Sequence, residues 1–128
     1  MNIPQDLRYT NEHEWIRLEG EIAVVGITDY AQDQLGDIVF VELPAASDPL
    51  EAMGVFGTVE AVKTVYDLFS PLSGEIVDVN AELESHPEYV NEDPYGNGWM
   101  IKIQMADASA SDELLTAQAY IDLIGEEE

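Results

Sequence analysis

Two lysines, Lys63 and Lys102, stand against 27 Asp and Glu in a chain of 128 residues. Lys63 lies in Gly57-Thr58-Val59-Glu60-Ala61-Val62-Lys63-Thr64-Val65-Tyr66-Asp67, at the expected tip of a hairpin. A hairpin tip is the most exposed place a domain offers a side chain, and the easiest for a second protein to reach. A lysine there is ordinarily a solvated turn residue. Lys63 differs in its company: small and β-branched neighbours flank it, Glu60 and Asp67 lie on either side, and Ser70-Pro71-Leu72-Ser73-Gly74 follows. Lys102 falls within Trp99–Met105, where alternation puts it on the solvent face of a strand, and that position accounts for it.

Most catalytic signatures are missing. The chain contains no glycine-rich phosphate loop, nucleophile elbow or helical zinc motif. Without cysteine it encodes no disulfide framework, thiolate metal site or thiol nucleophile. His13 and His86 stand far apart with no partner at ligand spacing, and each reads as a surface or half-buried histidine. The carboxylates form no Asp-x-Asp-x-Asp-Gly calcium loop, and Asp93-Pro94-Tyr95-Gly96-Asn97-Gly98 has the chemistry of a tight turn. Nothing argues for an enzyme.

The elements that must position Lys63 are mostly β. Glu14–Leu18 and Ile22–Ile27 flank Glu19-Gly20-Glu21 as a hairpin. Thr28 can cap a short helix near 28–35 that stops at Gly36, and Asp37–Leu43 resumes strand up to Pro44. Val55–Val62 and Val65–Phe69 bracket Lys63-Thr64, and Gly74–Val79 and Trp99–Met105 are further strands. Residues 81–98 read as polar loop with a helical turn. A last helix is expected near 112–124, with Ser111 as cap, Leu114, Ala117, Ile121 and Ile124 on one face and Gly125 as its end. Gly36-Asp37-Ile38-Val39-Phe40-Val41 recurs as Gly74-Glu75-Ile76-Val77-Asp78-Val79. Two half-buried strands after glycine turns look alike in any case; the alternative is a domain of two similar halves.

From Gly57 to Gly74 the chain resembles the attachment hairpin of the H proteins of the glycine cleavage system. His13-Glu14-Trp15, Val25–Gln32, Leu35–Pro44, Asn91-x-Asp93-Pro94-Tyr95-Gly96 and Gly98–Ile103 look like further blocks of that family, in its order, over roughly residues 7 to 124. The resemblance implies a flattened barrel-sandwich hybrid of two similar halves. It implies (R)-lipoate amide-linked to Lys63, with Glu60 and Gly74 recognised during lipoylation. Glu14 and Asp67 would hold the arm when it bears an aminomethyl group. The implied partners are the pyridoxal-phosphate glycine decarboxylase, the tetrahydrofolate-dependent aminomethyltransferase, the flavin enzyme dihydrolipoyl dehydrogenase and the lipoate-attaching enzymes. The carrier itself is expected to be a monomer that catalyses nothing. A chain without thiols also cannot compete with a dithiolane by exchange.

This chain departs from the family in places. Gln34 stands where many members carry histidine, Ala61 where serine is common, and the Ala46-Ser47-Asp48 turn lacks the usual glycine. A biotin carrier brackets its lysine with methionines, whereas Val62 and Thr64 do so here. The lipoyl domain of a 2-oxo acid dehydrogenase favours Asp before the lysine. A stand-alone lipoate-relay or donor protein stays open on the same residues.

Size and charge bound the rest. Apolar residues reach 46%, with a mean hydropathy of -0.10, as expected of one carrier domain over residues 1–128 with a frayed acidic tail at 126–128. The net charge of -23 repels phosphate backbones and anionic headgroups, so neither nucleic acid nor membrane surface is an expected partner. No apolar run approaches the roughly 18 residues of a membrane span. Met1-Asn2-Ile3-Pro4-Gln5-Asp6 has neither a basic signal start nor an Arg-rich transit pattern, so a cytoplasmic protein is expected. The depletion of lysine points to a salt-rich cytoplasm. Self-repulsion at this charge destabilises the fold in dilute buffer, and screening relieves it. Melting temperature should therefore rise from low to molar potassium chloride; a flat profile would leave the charge as a matter of solubility alone.

Overall fold

Among the described residues, 2–44 and 48–127, the computed structural model contains nine strands in two antiparallel sheets. In chain order the elements are β1 (Arg8–Tyr9), β2 (Glu14–Glu19), β3 (Ile22–Ile27), α1 (Asp29–Leu35), β4 (Ile38–Glu42) and β5 (Pro49–Leu50). They continue with β6 (Val55–Ala61), β7 (Val65–Phe69), β8 (Gly74–Val79), α2 (Tyr89–Glu92), β9 (Ile101–Met105) and α3 (Ala117–Glu127). The larger sheet runs β1-β2-β3-β9-β8-β5 and the smaller β4-β6-β7. Their facing sides make the core, in which Ile16, Val25, Val59, Leu68, Ile76 and Ile103 are fully buried. Burying each such side chain contributes about 1.5–3 kcal/mol. The fold is mostly β with few helices, as the strand pattern predicted, and is a barrel-sandwich, as the resemblance implied.

Local signals account for several of the elements. Gly20, at φ +65, turns the β2–β3 hairpin. The Thr28 hydroxyl caps α1 by accepting from the Ala31 N–H at 3.1 Å, and Gly36, at φ +78, stops it. The recurring glycine-led hexapeptide is a structural repeat. β4 shifts register between Ile38 and Phe40, leaving Val39 exposed, and β8 shifts between Ile76 and Asp78, leaving Val77 exposed. The same bulge at the same place in both strands favours two similar halves over chance likeness.

The C-terminal region differs from expectation. Residues Ala108–Glu113 form a 3-10 turn capped by Asp107, so Asp112 and Glu113 belong to that turn and not to a helix begun at Ser111. The chain then extends, because Leu115 pairs with Tyr9 through two backbone bonds of 2.8 and 2.9 Å. Helix restarts where the Thr116 hydroxyl accepts from the Ala119 N–H, and α3 continues through Gly125. Its buried face is Ala117, Tyr120 and Ile124, against Tyr9 and Trp15; Ile121 is half-buried and Leu114 packs on the main core instead. Two short helical pieces, Ala81–Glu84 and α2, occupy the region read as loop. The departures at Ala46 and Ser47, and Glu128 of the acidic tail, lie outside the described residues.

One acid is built into the core. Glu14 of β2 is 1% exposed, yet its Oε2 accepts from the Phe69 N–H of β7 at 2.9 Å and its Oε1 from the Thr10 hydroxyl at 3.1 Å. Burial pushes its pKa from 4.5 up to about 8, against the pull of those two hydrogen bonds. In the unfolded chain the proton leaves near 4.5, so between 4.5 and about 8 the folded state binds more protons. This component of stability therefore falls as pH rises through that window. Glu14→Gln lacks it. Urea unfolding at about pH 5 and about pH 8.5 should show the parent losing more stability than the variant; equal losses would show that Glu14 titrates normally.

Candidate functional site

Lys63 sits at the exposed end of the smaller sheet, where the chain passes from β6 to β7. The tip holds Val62, Lys63 and Thr64, one residue more than the sequence suggested. Val62 leaves the strand because its N–H turns to the Asp37 carbonyl at 3.2 Å, while the Ala61 N–H donates to the Thr64 carbonyl at 2.8 Å and closes the turn. Backbone bonds thus hold the turn on both sides while the side chains stay outside. Val62 and Val65 are 71% and 61% exposed, an apolar surround unusual for a solvated turn. Among the described residues no carboxylate pairs with the Lys63 ammonium.

The other residues singled out from sequence occupy different surfaces. Glu60 is exposed on β6, opposite Phe40 of β4 and Val65 of β7, in a row across the outer face at the end next to the Lys63 turn. Gly74 opens β8 in the other sheet, opposite Met105 and Leu50. A Cβ there would stand 2.1 Å from the Gln104 carbonyl oxygen, so close strand approach alone demands glycine. Glu14 and Asp67 are not brought together. Glu14 is buried with both oxygens engaged. On β7, Tyr66 and Leu68 turn inward, so alternation puts Asp67 on the exposed outer face, opposite Thr58. β7 is nevertheless an edge strand.

A groove that the sequence did not reveal runs from the lysine. Asp33, Gln34, Leu35, Gly36, Asp37, Val62 and Lys63 line a cleft of about 390 Å³. Gln34 and Leu35 also line its neighbour of about 240 Å³, with His13, Tyr30, Ala31 and Tyr66. Apolar side chains make most of that second wall, with polar groups already fixed by the fold. The Tyr66 hydroxyl donates to the Glu12 carbonyl at 2.8 Å, and His13 Nδ1 lies 2.9 Å from the Tyr120 hydroxyl. Tyr120 also bonds Thr28 at 2.7 Å, tying the cleft wall to α3 and to the cap of α1. The sequence signals for these residues were ordinary helix and strand positions, which is why the groove was not foreseen. His13, at φ +67, is held in a conformation rare outside glycine.

The remaining candidates stay bland. His13 is half-buried, and His86 is exposed beside Glu88 at 3.0 Å. Lys102 stands on the outer side of β9, its Nζ 5.1 Å above the Trp99 ring. Among the described residues no group of His, Cys, Asp or Glu could hold a metal ion, and no helix is long and apolar enough to cross a membrane.

Comparison with known proteins matches this arrangement to one family. The family model described as Glycine cleavage H-protein matches residues 7–127. The glycine cleavage system H protein of Bacteroides thetaiotaomicron is 65% identical over 120 residues, covering 94% of this chain and 95% of the relative. That of Bacteroides fragilis is 62% identical over 120 residues, with the same coverage of 94% and 95%. A crystal structure of a glycine cleavage system H protein from Mycobacterium marinum superposes with a TM-score of 0.88 at 41% identity, covering 96% of this chain and 99% of that one. With a lone lysine raised on a braced β turn above a groove, and likeness along nearly its whole length, the chain belongs to the glycine cleavage H-protein family, the lipoyl carriers of the glycine cleavage system.

Proposed function

We propose that Lys63 is the residue that carries the lipoyl group, in amide linkage, and that the protein itself catalyses no step. The observation that carries this reading is an exposed amine on a turn braced from both sides, with a groove opening beside it. An exposed lysine with no ionic partner among the described residues fits acylation, which removes its charge and leaves a neutral, extended arm. When bound, lipoate supplies a dithiolane that takes up an aminomethyl group, passes it on and is then reoxidised. The chain contributes presentation. The partners in this reading are the pyridoxal-phosphate glycine decarboxylase, the tetrahydrofolate-dependent aminomethyltransferase, the flavin dihydrolipoyl dehydrogenase and the lipoate-attaching enzymes. Residues 1–128 act as one monomeric cytoplasmic carrier domain, and the charge of -23 disfavours nucleic acid and anionic membranes.

Glu60 is the recognition residue for lipoylation in this reading, since it is exposed at the same end of the sheet as the Lys63 turn. Gly74 is assigned with it, and its tight backbone packing keeps the approach to β8 narrow. Intact mass of protein from a lipoylating host should rise by one lipoyl group, mapped between Glu60 and Asp67. Lys63→Arg should abolish both the adduct and carrier activity. Adduct on Lys102, or full activity in Lys63→Arg, would refute the assignment, and a biotinyl increment would refute the cofactor.

In this reading Glu14 and Asp67 both serve to steady the amine of the cargo, Asp67 as the charged group and Glu14 as the buried acid that fastens β7. Each follows a groove residue in sequence, Glu14 after His13 and Asp67 after Tyr66, and Asp67 stands on an edge strand. Glu14 holds its proton up to about pH 8, so the charge near neutrality comes from Asp67. Asp67→Asn should shorten the lifetime of the loaded carrier in water more than Glu14→Gln does, with lipoylation unchanged in both. Equal lifetimes in the parent and both variants would remove the two acids from this role.

A further inference from the structure

The corner between α1 and β4 makes the last backbone contact before Lys63, and that corner is gripped from outside. Asp37 supplies the carbonyl that accepts from the Val62 N–H. On either side of Asp37 the chain is held by Asn91 of α2. Its Nδ2 donates to the Gly36 carbonyl at 2.9 Å, and its Oδ1 accepts from the Ile38 N–H at 2.9 Å. The same Nδ2 donates to Gln32 Oε1 at 2.9 Å, and Gln32 Nε2 in turn donates to Asp29 Oδ1 at 2.8 Å. A side-chain amide has two N–H donors and one acceptor oxygen, and all three are used here on α1 and the segment after it. Gly36, at φ +78, has left the helix, so its carbonyl and the following amides have no helical partner of their own.

From this chain of bonds we infer that Asn91 is a positioning residue for the attachment turn, acting through Asp37 and Val62. The inference rests on the reading that Lys63 is the attachment site. Removing the amide frees the peptides on both sides of Asp37, so the carbonyl that braces Val62 loses its fixed place. The turn then opens more often, although the hairpin below it stays paired. An enzyme that acylates Lys63 meets the presented geometry less often. Its KM for the protein rises severalfold while kcat stays near that of the parent.

Amide hydrogen exchange, followed by NMR on the unlipoylated full chain, tests this directly, because local openings appear as faster exchange of particular amides. Asn91→Ala should speed exchange of the Val62 amide by about tenfold or more relative to the slow amides of β3 and β9. Asn91→Asp keeps the acceptor for Ile38, loses both donor bonds and should also speed Val62, so the test survives if the alanine variant does not fold. Ile124→Ala, which loosens the packing under α3 away from the corner, should lower stability without singling out Val62. Unchanged Val62 exchange in the Asn91 variants, or an equal relative rise in Ile124→Ala, would overturn the proposal. Exchange is read on unmodified protein, so failure of lipoylation at Lys63 would count against the attachment reading alone.

Discussion

A carboxylic acid where water cannot reach it joins the two sheets. Glu14 belongs to the larger sheet, but it accepts from a backbone N–H of β7, the edge of the smaller one. An unpaired N–H at that depth costs about 1–3 kcal/mol, and no neighbouring strand is present on that side to receive it. The acid takes the place of the missing strand. Thr10 completes the arrangement by donating its hydroxyl to Glu14 while accepting from the Glu12 and Glu14 amides. The strand that returns from Lys63 is thus fastened at its far end to the larger sheet, and the lysine is carried on a stiff hairpin.

The two bulged strands explain how a sandwich of this size closes. In β4 and β8 the residue before the bulge, Ile38 or Ile76, is buried, and the next, Val39 or Val77, is pushed out. A bulge increases twist locally, which lets each strand bend around the common core. The halves then diverge in use. Opposite the first bulge lies β6, which leads to Lys63; opposite the second lies β9, whose Lys102 rests over Trp99. Only the first half ends in a free, braced turn.

Much of this was legible from residue order, for reasons that were local. Glycine at positive φ, the hydroxyl cap of α1 and the alternation of Ile101, Lys102, Ile103, Gln104 and Met105 are encoded within a few positions. The lysine and its hairpin were legible for the same reason. What escaped depends on contacts between distant segments. Leu115 is extended because Tyr9 pairs with it, although the residues around it favour helix. The Lys63 turn gained a residue because Asp37 captures Val62. The groove is assembled from a loop, a helix and a strand whose members look unremarkable one at a time. Glu14 was legible as a residue of interest, but its burial and inter-sheet bond were not.

The order of strands in the larger sheet has a further effect, on when the molecule can form. Its centre is the pair β3 and β9, in which Val24 meets Lys102. Folding that depends on such distant pairing is slow compared with hairpin formation, since a long loop must close before any contact stabilises it. During synthesis β2 and β3 can pair as a hairpin, but the open side of β3 waits until β9 has left the ribosome, more than seventy residues later (Ile27 to Ile101). An exposed edge bearing Ala23, Val24 and Val25 invites pairing with other nascent chains. The acids spread along the polypeptide oppose that encounter, because partly made copies repel one another before their strands can meet.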